Sequence, residues 1–166
     1  MRFFVGTYTR MGGPGIVLCT LEKGAMHVLS VAPELENPTY VILSANRRRL
    51  YAVSSGAYAG EEGSVASYDL EGDQWMLRTR QGTAGKSPCH LTCSPDERFL
   101  YEANYLTGNL SVYPLTAAGI GPRIQCIQHE GKGLNPTRQE CAHLHQATFT
   151  PGHPTQLQAV DLGIDA

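Results

Sequence analysis

The sequence predicts an all-β chain, a β-propeller of four-stranded antiparallel blades with about three blades' worth of strands present. Three observations carry this reading. A segment recurs about every 50 residues: Leu50-Tyr51-Ala52-Val53-Ser54-Ser55, then Gly63–Leu70, returns as Leu100-Tyr101-Glu102-Ala103-Asn104-Tyr105, then Gly108–Leu115. Within each copy, apolar residues alternate over short runs bounded by Gly, Pro, Asn and Asp, which is the period-two signature of strands. No stretch shows the apolar period of an amphipathic helix. A sheet of four short strands buries its faces only against copies of itself, so a period of this length points to stacked blades.

The elements follow in order. The opening is a worn copy that begins inside a repeat: Phe3–Tyr8 and Gly15–Leu21 stand where the later strands of a blade belong. The next repeat places strands at Tyr40–Ser44, Leu50–Ser54, Ser64–Asp69 and Trp75–Arg80. The third places them at His90–Ser94, Phe99–Asn104, Asn109–Pro114 and Ile124–Gln128. Between its first two strands, Pro95-Asp96-Glu97-Arg98 combines the fixed φ of proline with an Asp suited to a turn. The last repeat has two strands, near His143–Phe149 and Leu157–Asp161. The whole reads as one domain over residues 1–166, a partial propeller incomplete at its C-terminus, with no linker to mark a second unit. An open fan leaves unpaired sheet edges and wet apolar faces, so self-association through the end blades is expected.

Composition narrows the function. The chain has 166 residues, 42% of them apolar, and a net charge of −2 without a basic stripe. That permits a core and argues against nucleic acid as a partner. No apolar run is long enough to span a bilayer. Met1–Tyr8 reaches glycine and polar residues too soon for a signal peptide, so the expected compartment is the cytoplasm. Five scattered cysteines suit reduced, buried thiols rather than a disulfide framework. Cys89 and Cys93, four apart on a strand, lie about 13 Å from one another, too far to bridge.

The connecting motifs say more than the repeats. Glu36-Asn37-Pro38-Thr39-Tyr40, Ser87-Pro88-Cys89-His90-Leu91, Ala103-Asn104-Tyr105 and Gly108-Asn109-Leu110-Ser111-Val112 resemble segments of the 6-phosphogluconolactonase family of seven-bladed propeller type. Gly131-Lys132-Gly133, Arg138-Gln139 and Ala142-His143-Leu144-His145 resemble that family's G-x-G…R-Q-x-x-P-H-A-H signature, and Asp161-Leu162-Gly163-Ile164-Asp165 its D-L-G-x-D. The resemblance runs through essentially the whole chain and covers about the N-terminal half of a member. Two departures stand out: Ala142 replaces the proline of the signature, and Thr150-Pro151-Gly152 replaces an S-P-D-G turn.

The resemblance implies hydrolysis of a sugar-derived lactone, with 6-phosphoglucono-1,5-lactone as the reference substrate in the pentose phosphate route. Such a reaction needs a water activated by a base, stabilisation of a tetrahedral oxyanion and a grip on the substrate. His143 and His145, two apart, would share one strand face with Leu144 on the other. Histidine is the side chain suited to act as a base at neutral pH. Arg138 would hold a phosphate or stabilise an oxyanion. These three are the candidate catalytic residues. Gln139, Asn104, His90, Lys132 and Asp161 are the candidate substrate contacts. Each has a plainer reading: a solvated histidine pair, a histidine capping a blade turn, an Asp beside glycine as turn chemistry. Gly131-Lys132-Gly133 lacks the following helix of a phosphate loop, which leaves Lys132 as a simple counter-charge. Arg47-Arg48-Arg49 reads as a solvated hairpin turn. Tyr51, Tyr68, Tyr101 and Tyr113 recur at equivalent positions and read as blade packing. No cofactor is implied, and no third ligand joins the two histidines, so no metal is expected. The competing readings are a muconate-lactonising propeller, a non-catalytic binding platform, and a truncated product without activity.

Overall fold

The computed structural model describes residues 1–32, 35–56 and 61–164. Among them the chain forms fourteen strands and one short 3-10 helix at Thr9–Met11. The strands gather into successive antiparallel sheets, and within a sheet nearly every strand pairs with the next in sequence. The first sheet holds β1 (Arg2–Gly6), β2 (Ile16–Glu22) and β3 (Ala25–Val31). The second holds β4 (Val41–Leu43), β5 (Arg49–Ser54), β6 (Glu62–Glu71) and β7 (Gln74–Lys86). The third is built on β8 (Pro88–Cys93), β9 (Phe99–Asn104) and β10 (Asn109–Thr116), with β11 (Gly119–Ile120) and β12 (Gln125–Gln128) both pairing β10. The last is the hairpin β13 (Leu144–Thr150) and β14 (His153–Asp161).

This is the expected blade architecture, and the expected strands all form. Three differences have physical causes. Ala25–Val31 is a strand that alternation did not reveal, because Met26, Val28 and Val31 are apolar yet exposed. It is made by a two-residue turn at Lys23-Gly24, both with positive φ, the conformation that tight hairpins require. β7 runs past Arg80 to Lys86 because β6 begins early and Glu62 pairs with Lys86. The short β11 folds back on β10 and buries Ile120 against the second sheet.

Blade faces pack on one another through three apolar clusters. Ile16, Leu50, Ala52, Ala66 and Tyr68 join the first sheet to the second, with Trp75 edge-on to both Phe4 and Tyr68. Tyr51, Val53, Val65, Leu91, Leu100, Tyr113 and Ile120 join the second to the third. Ala103, Leu110, Leu144 and Ala147 join the third to the last. Tyr51, Tyr68 and Tyr113 are buried in these layers, while Tyr101 is half-buried and packs edge-on to Phe149. All five cysteines are free thiols.

Antiparallel meanders put connections at two opposite ends. One end carries the hairpin turns Ser44–Arg49 and Ser94–Phe99; the other carries the links into β4, β8 and β13. Arg49 does not belong to a solvated turn. Its Nε lies 2.6 Å from Asp69 Oδ1, and its other nitrogens donate to the Thr116 and Ala117 carbonyls, tying the second sheet to the third.

Candidate active site

The second end gathers residues from nearly every connection into one cleft of about 470 Å³. Tyr8 and Arg10 come from the β1–β2 link, Thr39 from the lead into β4, Ser55 from the exit of β5. Ser87, Pro88 and Cys89 open β8; Tyr105 and Leu106 form the β9–β10 turn; Arg138 comes from the long segment before β13, His145 from β13 and Leu162 from beyond β14. Two guanidinium groups, an imidazole and several hydroxyls therefore face one space.

Arg138 is presented by a loop that bonds to itself. Asn135 Oδ1 accepts from the Thr137 amide and hydroxyl, while the Arg138 and Gln139 amides donate to the Asn135 carbonyl. Gln139 Oε1 accepts from the Asn135 amide and its Nε2 donates to the Leu162 carbonyl. Gln139 thus acts inside the loop, and the Gly133 backbone packs so closely on it that a Cβ would overlap its amide. Lys132 is exposed and lies off the cleft.

His145 enters the cleft because the β13–β14 register shifts between Leu144 and Gln146. A bulge re-aims a side chain, and here it breaks the alternation expected for His143 and His145. His143 precedes the strand and is buried, while His145 is exposed. The two still meet through Tyr105, whose ring stacks on His143 at 4.6 Å and stands edge-on to His145 at 5.9 Å. His143 Nδ1 lies 3.1 Å from the Tyr105 carbonyl oxygen and so carries the hydrogen of that bond. Its Nε2 turns away from the cleft, 3.5 Å from Glu140 Oε1.

Three other sequence candidates sit inside the protein. Asp161 is buried; its Oδ1 accepts from the His143 and Gly163 amides at 2.7 and 2.8 Å, and its Oδ2 faces His129 Nδ1. It therefore holds the His143 segment in place. The partner residue of its motif, Asp165, lies outside the described residues. Asn104 is fully buried and donates to Glu102 Oε2 at 2.8 Å. His90 is buried on β8, with Nε2 3.0 Å from the Tyr40 hydroxyl and Nδ1 accepting from the Ala147 amide. Burial first, and the nearby His145 second, lower its pKa, so the ring is neutral and ties β8 to the segments on either side.

Arg10 is the cleft residue that sequence reasoning missed. It lies in no repeated motif, and its guanidinium sits 5.1 Å over the Tyr8 ring, a cation–π contact that spacing alone does not announce. Cys89 also lines the cleft. Burial above all, with the Glu102 carboxyl adding to it, pushes its thiol up to about 12, which makes it a packing residue rather than a nucleophile.

A larger cavity, about 620 Å³, lies at the hairpin end among Ser44, Arg49, Asp69 and Thr116. Size does not make it the site: the Arg49 guanidinium there is already paired.

Comparison with known proteins shows the family and the fold. The family model described as a seven-bladed β-propeller lactonase matches residues 2–166. A Bacillus subtilis 6-phosphogluconolactonase is 38% identical over 98% of this chain and 46% of its own length. Among solved structures, a periplasmic gluconolactonase of Pseudomonas aeruginosa superposes with a TM-score of 0.88 at 27% identity, over 99% of this chain and 48% of its own. A Bacteroides fragilis protein superposes with a TM-score of 0.88 at 32% identity, over 98% of this chain and 45% of its own. The chain thus spans about half the length of the relatives it matches.

Proposed function

Because the chain belongs to the seven-bladed β-propeller lactonase family, we propose that its cleft is the chain's share of a lactone-hydrolysing site for a phosphorylated sugar lactone. The observation that carries the reading is the meeting of Arg10, Arg138 and His145 with the hydroxyls of Thr39, Ser55 and Ser87 in one space. Paired guanidinium groups suit an anionic substituent, and hydroxyl partners suit a polyol ring. A dicarboxylate substrate of the muconate type would use the cations and leave those hydroxyls without a purpose. The volume, about 470 Å³, suits a single sugar ring.

In this mechanism His145 takes a proton from water as its oxygen attacks the lactone carbonyl. Arg138 faces the oxyanion of the tetrahedral intermediate, and Arg10 the substrate's own anion. The ring C–O bond then breaks, and the departing oxygen takes the proton back from the imidazolium. His143 acts through Tyr105, whose ring it supports from behind. The reference reaction is 6-phosphoglucono-1,5-lactone to 6-phosphogluconate, a step of cytoplasmic carbohydrate metabolism.

The test is lactone hydrolysis by the purified protein, comparing 6-phosphoglucono-1,5-lactone with glucono-1,5-lactone. Faster turnover of the phosphorylated substrate, lost in Arg10→Ala, supports the assignment. Equal rates for both, unchanged by Arg10→Ala, overturn the phosphosugar specificity. Hydrolysis no faster than the uncatalysed reaction overturns the activity of this polypeptide.

A further inference from the structure

We propose that Glu140, Cys141 and His143 form a binding site for a divalent transition-metal ion of the zinc class. One ligand atom from each residue lies within 4.8 Å of the others. His143 Nε2 is 3.5 Å from Glu140 Oε1 and 4.0 Å from Cys141 Sγ. A tetrahedral zinc site with ordinary bond lengths places such atoms about 3.3–3.6 Å apart, so a contraction of a few tenths of an ångström to about 1 Å closes it. Imidazole, thiolate and carboxylate together select this class of ion over magnesium or calcium, which prefer oxygen alone.

The second observation is how His143 is held. It is 4% exposed, and its Nδ1 hydrogen is committed to the Tyr105 carbonyl. That bond fixes the tautomer and leaves the Nε2 lone pair aimed at Glu140 and Cys141, the arrangement that orients histidine ligands in metal sites. The backbone is fixed as well. The His143 amide donates to Asp161 Oδ1, the Leu162 amide donates to the His143 carbonyl, and Gly163 packs so tightly on the Cys141 carbonyl that a Cβ would overlap it. Glu140 and Cys141 are exposed, so an ion has an entry path and an open fourth position. Binding releases the Cys141 thiol proton to solvent. The expectation of no metal took His143 and His145 as the pair and found no third ligand; the group that comes together leaves out His145 and joins His143 to Glu140 and Cys141.

The experiment is titration of the chelator-treated protein with Co²⁺ alone, followed by Zn²⁺. One equivalent of Co²⁺ should give a thiolate-to-cobalt charge-transfer absorption that Zn²⁺ removes. Cys141→Ser should abolish the band, Glu140→Gln should weaken Co²⁺ binding by about tenfold or more, and Cys126→Ser should leave both intact. Glu140, Cys141 and Cys126 are exposed, and circular dichroism confirms that the variants remain folded. No charge-transfer band at saturating Co²⁺, or a band that survives Cys141→Ser, overturns the site. Neither readout depends on lactone hydrolysis.

Discussion

The two ends of the blades are built by opposite rules. At the hairpin end the third blade closely copies the second. Ser44 Oγ donates to Asn46 Oδ1 and accepts from the Arg49 amide; Ser94 Oγ donates to Asp96 Oδ1 and accepts from the Phe99 amide. Arg47 and Glu97 take the same positive φ in the two turns, and each donates its amide to the turn serine's carbonyl. At the loop end the repeat keeps positions but not residues: Tyr8, Ser55 and Tyr105 stand at the same place in successive copies, with three different surroundings. One contributes Arg10, another Ser55, another Tyr105, and the long segment before β13 contributes Arg138. What a propeller repeats is architecture, because each blade must solve the same turn. What departs from the repeat is free to be a site.

This contrast can be broken by experiment. The largest effect belongs at the loop end: His145→Ala or Arg138→Ala should lower lactone hydrolysis by about a hundredfold or more while the melting temperature stays near that of the parent. A loss of activity that tracks a loss of melting temperature would show these residues to be structural. Next, Asp161→Ala removes the acceptor of two backbone amides and the partner of His129, and should cost about 3 kcal/mol by chemical denaturation. It should also lower activity, because it frees the segment that carries His143 and leads into His145. An unchanged denaturation midpoint would mean that other contacts hold the segment.

A buried carboxyl sharpens the comparison from the side of stability. Glu102 has no exposed surface, its Oε1 has no hydrogen-bond partner, and burial raises its pKa well above the ordinary 4.5. The folded state therefore keeps its proton after the unfolded chain has lost it. Stability on this account is greatest below pH 4.5 and falls as pH rises through the window between the two pKa values. Glu102→Gln should stabilise the protein by about 1 kcal/mol or more at neutral pH and flatten that decline. Thermal melts across pH would refute this if the variant is no more stable at neutral pH. His90 has the opposite sign. Its pKa is lowered, so stability is present above 6.5 and declines as pH falls below it. His90→Phe should reduce that acid sensitivity, read by the same melts. The smallest effect belongs at the hairpin end: Ser94→Ala should cost about 1 kcal/mol, with Ser44→Ala close to it, and neither should alter hydrolysis.

The blades and nearly all their strands were legible in the sequence. Alternation and turn residues act locally, and a repeated pattern such as Leu50–Ser54 and Leu100–Asn104 reports the same local solution twice. The outer strand Ala25–Val31 escaped because its apolar side chains face outward, where alternation carries no burial signal. The motif Arg138…His143…His145 was visible as a string of residue types, but its geometry was not. Whether His145 reaches the cleft depends on a register shift against β14, and the direction of His143 Nε2 depends on the Tyr105 carbonyl from another blade. Arg10 meets Arg138 only because stacked blades bring their connections to one end. By itself the sequence determined the repeating unit, because strand and turn formation are short-range. Tertiary structure decided the site, because the residues that line it come from connections of different blades.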